Sequence, residues 1–296
     1  GAKPDGGMMN AIFKDPRLCQ TAALAGLLAW GVAGGVFQIS PQQIAAVLVT
    51  ALGVQALGAF MTATRFEARS AVITALLLSL FLRAEGFAPL MVAAAIAIGS
   101  KFTMRLYGKH VFNPAAAGVV GMLILSQTAM PGAAWTDYGF WETPAWLAVM
   151  LAGAGAFIAW RANRLDVPLI FLGSYAALLF ARALWIGEPL TVPTGHMQSG
   201  ALLLFAFFML PDPKTTPDGR HGRAFFAAGA AFAAYVLGFQ FNIAGAVFYA
   251  LAILCVLRPL IETFDPAPAY RWGDPAAPLR LPKRVPTPRS HPAPAE

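Results

Sequence analysis

A polar run at residues 101–115 holds side chains that could bind an anionic group within an otherwise apolar chain. Lys109, His110 and Asn113 follow one another closely, and Pro114 comes next. Asparagine caps helices, and proline suits the first helical position because its missing N–H is not needed there. Two interpretations stay open. The run is a cytoplasmic loop that only caps a helix, or its positive helix end, beside Lys109 and His110, faces an anionic cofactor or partner.

A second run, at residues 199–217, combines small, aromatic and acidic side chains. It begins with Ser199 and Gly200, and Gly200 allows a neighbouring helix to approach closely. Phe208 and its neighbours offer a polarizable surface, which either packs against other helices or cradles a flavin or a quinone. Asp212 stands between two prolines. It either ends the helix or holds a basic side chain of the first run with its carboxylate.

Arg182 is the one basic residue inside an apolar stretch, and it lies near the outer end of that stretch. Its side chain either extends to the membrane interface or faces the interior, where it would pair with Glu188 or with an anionic ligand. The second interpretation makes Arg182 a further candidate binding residue.

Other reactive patterns are missing from the sequence. The two cysteines, Cys19 and Cys255, lie in apolar stretches without a CxxC motif, so neither a disulfide nor a metal site is expected. No nucleophile triad, phosphate-binding loop or metal cluster is recognisable. Independent catalysis by this chain is therefore not expected.

The composition places these runs in a membrane. Hydrophobic residues make up 58% of the 296 residues and charged residues only 12%, with a mean hydropathy of +0.62. This balance is far from that of a soluble domain and predicts an all-α integral membrane protein. The net charge of +7 is spread over loops and a tail, without a nucleic-acid-binding motif, so nucleic acid is excluded as a partner.

Ten apolar stretches divide the chain, and we predict that each forms a transmembrane helix. They lie at about 18–36, 41–61, 70–82, 87–100, 112–130, 144–160, 167–186, 196–210, 224–239 and 242–257. All but two of the 21 Lys and Arg residues, Arg83 and Arg182, fall in every second gap between them. Membrane insertion keeps such loops in the cytoplasm. The pattern therefore predicts a multi-pass protein of the bacterial inner membrane with both termini cytoplasmic.

The third and eighth stretches are too short to cross a bilayer as straight helices, which need roughly 17 to 25 residues. They occupy corresponding positions if the chain divides into two five-helix halves, 18–130 and 131–260. With an odd number of helices in each, the halves must have opposite orientations. Short or broken helices at equivalent positions of inverted halves indicate a binding site near the membrane midplane.

The two ends of the chain differ from its apolar middle. Residues 1–17 are polar and are predicted to form a cytoplasmic N-terminal segment, with the first helix retained in the membrane. Residues 261–296 are rich in Pro and Ala with scattered charges. Such a composition cannot bury enough apolar surface to fold, so we expect a flexible cytoplasmic tail that lies on lipid headgroups or meets a partner.

The two polar runs carry a resemblance to a known family. Gly-Lys-His-Val-Phe-Asn-Pro-Ala at 108–115 and the run that ends in Leu-Pro-Asp-Pro-Lys-Thr-Thr-Pro at 210–217 resemble motifs of the RnfD/NqrB family, and Asp-Pro-Arg at 15–17 resembles its cytoplasmic start. The resemblance covers roughly residues 14–260. The family comprises the D component of the Rnf ferredoxin:NAD oxidoreductase and the B component of the sodium-translocating NADH:quinone oxidoreductase.

This resemblance implies ten helices in inverted halves, a fold shared with urea-transporter-like proteins, and flavin in a membrane electron-transfer chain. Members with covalent FMN carry it on the threonine of a Ser-Gly-Ala-Thr-like sequence. The corresponding stretch here reads Ser126-Gln127-Thr128, and this altered order argues against covalent FMN at Thr128.

Three functions remain open from the sequence. The first is a membrane subunit of an Rnf/Nqr-like electron-transport system that binds a noncovalent flavin (FMN or riboflavin) or a quinone and exchanges electrons with other membrane or soluble redox subunits. The ligand would lie near the residues singled out above: Asn113, Pro114, Ser199, Gly200, Phe208 and Asp212, with Lys109 and His110 at the rim. The second is a non-redox transporter or channel for a small solute, and the third is an assembly scaffold.

Overall fold

Eleven helices account for most of the residues that the computed structural model describes, which are 16–106, 109–136 and 145–268. In chain order they are α1 (Pro16–Ala33), α2 (Pro41–Met61), α3 (Ala68–Phe81), α4 (Ala88–Thr103), α5 (Pro114–Gln127), α6 (Ala145–Arg161), α7 (Asp166–Ile186), α8 (Thr191–Met197), α9 (Gly200–Leu204), α10 (Arg220–Tyr235) and α11 (Ala246–Phe264). Helices α9 and α10 each continue into a π-helical turn, Phe205–Met209 and Val236–Gln240.

The prediction of an all-α membrane protein is confirmed. Four helical segments are long and apolar enough to cross a membrane: Pro41–Met61, Asp166–Ile186, Arg220–Gln240 and Ala246–Phe264. Six shorter apolar helices occupy the positions of the other predicted stretches. That all ten segments cross the bilayer stays a prediction, as do the predictions for residues 1–15 and 269–296, which lie outside the described part of the chain.

Local sequence explains where several helices begin and end. Ser40 and Gln43 form a reciprocal capping box ahead of α2, and Asn113 caps α5 with Pro114 in its first turn. Helix α7 ends at Gly187, which has a φ of 73°. Only glycine adopts such a left-handed conformation without strain, so the chain can turn there at once.

Two short sheets were not predicted. Strand β1 (Leu82–Ala84) continues directly from α3 and pairs antiparallel with β4 (Ala134–Thr136). Strand β2 (Arg105–Leu106) pairs with β3 (Lys109–His110) inside the first polar run. The first sheet lets the short helix α3 end within the protein, because a paired strand satisfies backbone groups that lipid cannot.

The second short segment is broken and entirely enclosed. The structure separates α8 from α9, and every residue from Gly200 to Leu210 is buried. Five residues of α-helix and five of π-helix together make a segment of about 15 Å at 1.5 Å per residue, half the thickness of the hydrocarbon core. The third and eighth segments are therefore short, as expected, and the eighth depends on its neighbours for shelter.

Helix packing follows the same order before and after the middle of the chain. Helix α2 packs on α4, and α4 packs on α5. Likewise α7 packs on α10, and α10 packs on α11. Helix α1 contacts the short α3, as α6 contacts the short α9 and its π turn. Helix α11 also contacts α5, so the two groups of helices share one core.

The core between these groups contains a series of aromatic contacts. Phe81 of α3 meets Phe248 of α11 edge to face with ring centroids 5.0 Å apart, and Phe248 meets Phe205 of the π turn at 5.7 Å. Phe205 in turn packs on Phe171 of α7 at 5.4 Å. These contacts fix the short segments against the longer helices that enclose them.

Gly118 marks a close helix crossing, and its replacement gives a test of this packing. A Cβ atom on Gly118 of α5 would lie 2.7 Å from the carbonyl oxygen of Ala93 and 2.8 Å from the Cβ of Ala97, both in α4. We expect Gly118→Ala to lower the free energy of unfolding by about 1–3 kcal/mol through overpacking. Thermal unfolding of the purified protein in detergent, followed by circular dichroism, measures the change.

Gly99→Ala is the matched control. Nothing lies within 4 Å of a Cβ atom added there, so the substitution should be neutral or stabilise by up to about 1 kcal/mol through helix propensity. Equal melting temperatures for the two variants would contradict the close approach of α4 and α5.

Candidate functional site

A cavity of about 90 Å³ lies where the N-terminal end of α5 meets the end of the π turn. Five residues that the sequence singled out line it together: His110, Asn113, Pro114, Phe208 and Asp212. The remaining lining residues are Arg17, Gln20, Ser70, Ile73, Thr74, Leu77, Ala115, Ile158, Ala159, Ala162, Phe207, Pro211, Pro213 and Lys214. The fold therefore joins the two polar runs at one cavity, although about a hundred residues separate them in the chain. That these residues bind a ligand stays a prediction.

Asn113 connects the two runs directly. Its Oδ1 accepts a hydrogen bond from the backbone N–H of Ala116 at 3.2 Å, which caps α5. Its Nδ2 donates to the carbonyl oxygen of Met209 at 3.2 Å and lies 3.5 Å from Oδ2 of Asp212. The side chain is buried and engaged at both ends. Asn113 therefore positions the cavity wall and has little hydrogen-bonding capacity left for a ligand.

The π turn depends on a second amide from the first group of helices. Nε2 of Gln20, in α1, donates to the carbonyl oxygen of Phe208 at 3.0 Å. A helix end leaves backbone carbonyls without intrahelical partners, and these cannot remain unpaired in a buried segment. Gln20 and Asn113 supply the missing donors to adjacent carbonyls. They hold Phe207 and Phe208 against the cavity.

Asp212 organises the loop that follows the π turn. Its Oδ1 accepts from the backbone N–H of Lys214 at 3.0 Å, and its carbonyl oxygen accepts from the backbone N–H groups of Thr215 and Thr216, both at 3.0 Å. The suggestion that Asp212 binds a basic side chain of the first run is not supported within the described residues, whose ion pairs do not include this carboxylate. The side chain of Lys109 lies outside that description.

Arg258 of α11 joins both polar runs from the other side. Its guanidinium is 1% exposed, and Nη1 donates to the carbonyl oxygens of His110 at 3.1 Å and Lys214 at 2.8 Å. Its Nε lies 3.8 Å from a carboxylate oxygen of Glu262. One buried arginine thus fixes the backbone of the two loops relative to each other.

Two further arginines anchor the loop after Asp212. Arg164 donates from Nη1 to the carbonyl oxygen of Pro217 at 2.7 Å and from Nη2 to Asp218 at 3.1 Å. Arg223 donates to Asp166 at 2.7 Å. The Arg164 and Asp218 side chains are almost completely buried. These contacts tie the loop between α6 and α7 to the start of α10 and keep the second polar run in place.

His110 is a lining residue that combines deep burial with an unengaged polar atom. It is 7% exposed, and within the described residues its Nδ1 has no hydrogen-bond partner. Burial, followed by the positive charges of Lys214, Lys101 and Arg105, lowers the pKa of His110 from 6.5 to about 4. His110 is therefore neutral at pH 7, and its free nitrogen is available to a bound molecule.

The low pKa of His110 predicts a pH-dependent stability. The unfolded chain takes up a proton near pH 6.5, whereas the folded protein takes it up only near pH 4. The unfolded state therefore binds more protons between these values, and the free energy of unfolding should fall as the pH falls from about 6.5 to about 4. The loss is at most a few kcal/mol. Thermal unfolding across this pH range measures it.

His110→Gln should flatten this pH dependence, because glutamine does not titrate. His221 lies on the surface at the start of α10, and His221→Gln serves as the control that should leave the dependence unchanged. Parallel curves for His110→Gln and the unmodified protein would show that another group is responsible.

The remaining predicted residues lie apart from the cavity lining. Ser199 is the N-cap residue of α9, and its buried Oγ has no hydrogen-bond partner in the described part of the chain. Gly200 follows it at the opposite end of the short segment from Phe208. The backbone of Lys109 belongs to β3. Thr128 ends α5, is exposed, and donates from Oγ1 to the carbonyl oxygen of Ile124 at 2.9 Å.

Arg182 has a defined partner. Its Nη1 lies 2.8 Å from Oε2 of Glu188, and its guanidinium carbon is 4.9 Å from the ring centroid of Phe239. The ring of His196 packs edge to face on the same phenylalanine at 5.8 Å. Of the two interpretations of Arg182, the structure supports pairing with Glu188. Arg182 does not line the cavity at the polar runs.

Several contributors to the site are not identifiable from the sequence pattern that predicted the rest. Gln20, Lys101 and Arg258 look like ordinary members of apolar helices or of basic loops. A usable signal exists for Gln20, because an amide in an apolar helix seeks a partner inside the protein. Arg258 offers no such signal, since its position at the end of an apolar stretch suits a cytoplasmic loop.

The cavity suits a planar ligand with polar edges. Its walls include the rings of Phe207 and Phe208 and aliphatic side chains, while His110, Lys214 and Asp212 provide polar atoms. Pockets for whole cofactors usually measure about 300–1,000 Å³. At about 90 Å³, this one can enclose a ring of such a ligand while the rest of the ligand occupies its opening.

Comparison with known proteins adds an independent line of observation. Residues 134–270 match the NQR2, RnfD, RnfE family. This range includes the second polar run and is narrower than the residues 14–260 over which the resemblance was expected. Among curated proteins, the chain is 31% identical over 142 residues to RnfD, the D component of the ion-translocating oxidoreductase complex, of Escherichia coli O9:H4 (strain HS). It is 32% identical over 145 residues to the protein of the same name from Salmonella enteritidis PT4.

Each of these alignments covers 48% of the chain and 38% of the relative. The chain therefore matches less than half the length of these curated relatives. The similarity concerns this shared part.

Proposed function

Because residues 134–270 belong to the NQR2, RnfD, RnfE family, we propose that the chain is a membrane subunit of an electron-transport system that binds a flavin or a quinone. The relatives are named as subunits of an ion-translocating oxidoreductase complex. By analogy, the partners of this chain would be other membrane or soluble redox subunits. The compartment would be the bacterial inner membrane, with both termini in the cytoplasm.

The observation that carries this proposal is the cavity between the two polar runs. The residues that line it fit a flavin or a quinone, because aromatic walls stand beside a buried, unengaged nitrogen of His110. A bound flavin or quinone supplies the redox chemistry. The chain holds the ring against Phe208, offers His110 Nδ1 and Lys214 to its polar edge, and keeps water from the enclosed part.

The division into two inverted halves, 18–130 and 131–260, belongs to the same proposal. Two observations support it: the packing order of α2, α4 and α5 repeats in α7, α10 and α11, and a short helix stands at an equivalent place in each group. Ligand sites at the junction of such halves are common in membrane transport folds.

The test is the cofactor content of the purified full chain. The absorbance spectrum, the flavin released on denaturation and the quinone in an organic extract are measured together. We expect a noncovalent flavin or a quinone in the unmodified protein and a loss of most of it in Phe208→Leu. Phe225→Leu is the matched control, because Phe225 of α10 is 67% exposed and is not part of the cavity lining.

A colourless protein without flavin or redox-active quinone would overturn the proposal. The small-solute transporter on the same fold would then be the alternative to examine, by flux into proteoliposomes. Flavin that stays attached after denaturation would instead point to a covalent link, and mass spectrometry of the peptide with Thr128 would decide whether that residue carries it.

A further inference from the structure

A second cavity, of about 130 Å³, lies beside the first and shares His110 and Lys214 with it. The loop between α2 and α3 contributes Arg65 and Glu67, and the end of α4 and strand β2 contribute Lys101 and Arg105. Unlike the first cavity, its lining is mainly polar and charged. The shared walls suggest a distinct ligand chemistry next to the first site.

The lining carries a surplus of positive charge. Four of its side chains are cationic, namely Arg65, Lys101, Arg105 and Lys214, against one carboxylate, Glu67. Burial acts to raise the pKa of Glu67, but the charges of Lys214 and Arg17 outweigh burial and hold the pKa below its ordinary value. Glu67 is therefore ionised at neutral pH, and it neutralises only part of the cationic charge.

Lys101 is the residue that membrane topology does not explain. Cytoplasmic loops retain lysines and arginines, but such side chains are normally exposed. Lys101 is 4% exposed, and its Nζ donates at 3.1 Å to the neutral Oε1 of Gln55, itself buried in α2. The ion pairs within 4.0 Å among the described residues do not include Lys101. A buried ammonium without an ion partner is costly unless an anion binds beside it.

His110 gives a second, independent indication. Its side chain lies between the two cavities, more than nine-tenths buried, with Nδ1 unpartnered among the described residues. A buried polar atom of this kind calls for a partner outside the protein.

We propose that this cavity binds a phosphate group, with Lys101, Arg105 and Arg65 as its charged contacts. The surplus of cationic side chains suits the charge of about −1.5 to −2 that a phosphomonoester carries at neutral pH. Arginine forks and lysine ammonium groups together satisfy the several acceptor oxygens of a phosphate, whereas a chloride or a single carboxylate would leave donors unused. The phosphate belongs either to a soluble molecule or to the headgroup of an anionic phospholipid.

This inference does not depend on a flavin or a quinone in the first cavity. The full chain is placed in phosphatidylcholine nanodiscs, and binding of inorganic phosphate is measured by isothermal titration calorimetry. In a parallel arm, nanodiscs that also contain phosphatidylglycerol are analysed by native mass spectrometry for retained phosphatidylglycerol. The variants are Lys101→Gln and, because buried Lys101 can affect folding, the exposed pair Arg65→Gln with Arg105→Gln. Arg220→Gln, an exposed change at the start of α10, is the control.

Weaker binding of inorganic phosphate in the variants, by roughly tenfold or more and without change in the control, would support a soluble phosphate ligand. Selective loss of retained phosphatidylglycerol would support the lipid headgroup instead. If neither probe distinguishes the variants from Arg220→Gln, the inference is overturned. Flavin and quinone content are measured on the same samples, so a failure here leaves the function proposed for the first cavity unaffected.

Discussion

Replacement of Arg258 by methionine should destabilise the protein by about 2–6 kcal/mol, because the carbonyl oxygens of His110 and Lys214 would each lose a buried donor at a cost of about 1–3 kcal/mol. Methionine keeps most of the side-chain volume, so the loss reflects the missing hydrogen bonds. Thermal unfolding in detergent measures it.

The same substitution should release both loops around the first cavity. Under the proposed function, the flavin or quinone content of the purified protein should fall together with stability. Arg258→Lys keeps the charge but not the planar fork, and its stability should lie between those of Arg258→Met and the unmodified protein. Arg220→Met is the control for loss of a cytoplasmic arginine. Equal stability of Arg258→Met and Arg220→Met would mean that Arg258 does not join the two loops.

Asn113→Leu is expected to have the second largest effect, because it removes two interactions at once. The cap of α5 contributes about 1 kcal/mol, and the carbonyl oxygen of Met209 would lose a donor at a further cost of about 1–3 kcal/mol. The free energy of unfolding should therefore fall by about 2–4 kcal/mol. Bound flavin or quinone should also be lost, since Phe208 would no longer be fixed against the cavity.

Asn113→Ser separates the two interactions. Serine caps a helix as well as asparagine does but is too short to reach Met209. Its stability should therefore exceed that of Asn113→Leu by about 1 kcal/mol, while the loss of ligand should be similar. If Asn113→Ser retains the ligand fully, the hydrogen bond to Met209 is not what positions the cavity wall.

The helices could be predicted well from the sequence because apolar stretches and caps are local features. Asn113 and Pro114 begin α5 as expected, and the short third and eighth segments lie where the prolines and charges placed them. The π turn at Phe205–Met209 was not foreseeable. It arises where the chain meets donors from Gln20 and Asn113, and no nearby residue indicates them.

The cavity was predictable only in outline. Two motifs at the same membrane face suggested a shared site, and His110, Asn113 and Asp212 do lie together. The partners of Asp212 and the deep burial of Lys101 depend on how distant loops meet. Charge patterns place basic residues on a side of the membrane, but they do not distinguish an exposed lysine from an enclosed one such as Lys101.

The hydrogen bonds to the end of the π turn have a consequence for synthesis of the protein. The carbonyl oxygens of Phe208 and Met209 accept from Gln20 and Asn113, which leave the ribosome 188 and 96 residues earlier. The segment is too short to span lipid alone and has exposed acceptors until those amides are in position. Docking against α1 and α5 must therefore accompany or follow its insertion, so the eighth segment should join the fold late, as a plug that closes a preassembled helix scaffold.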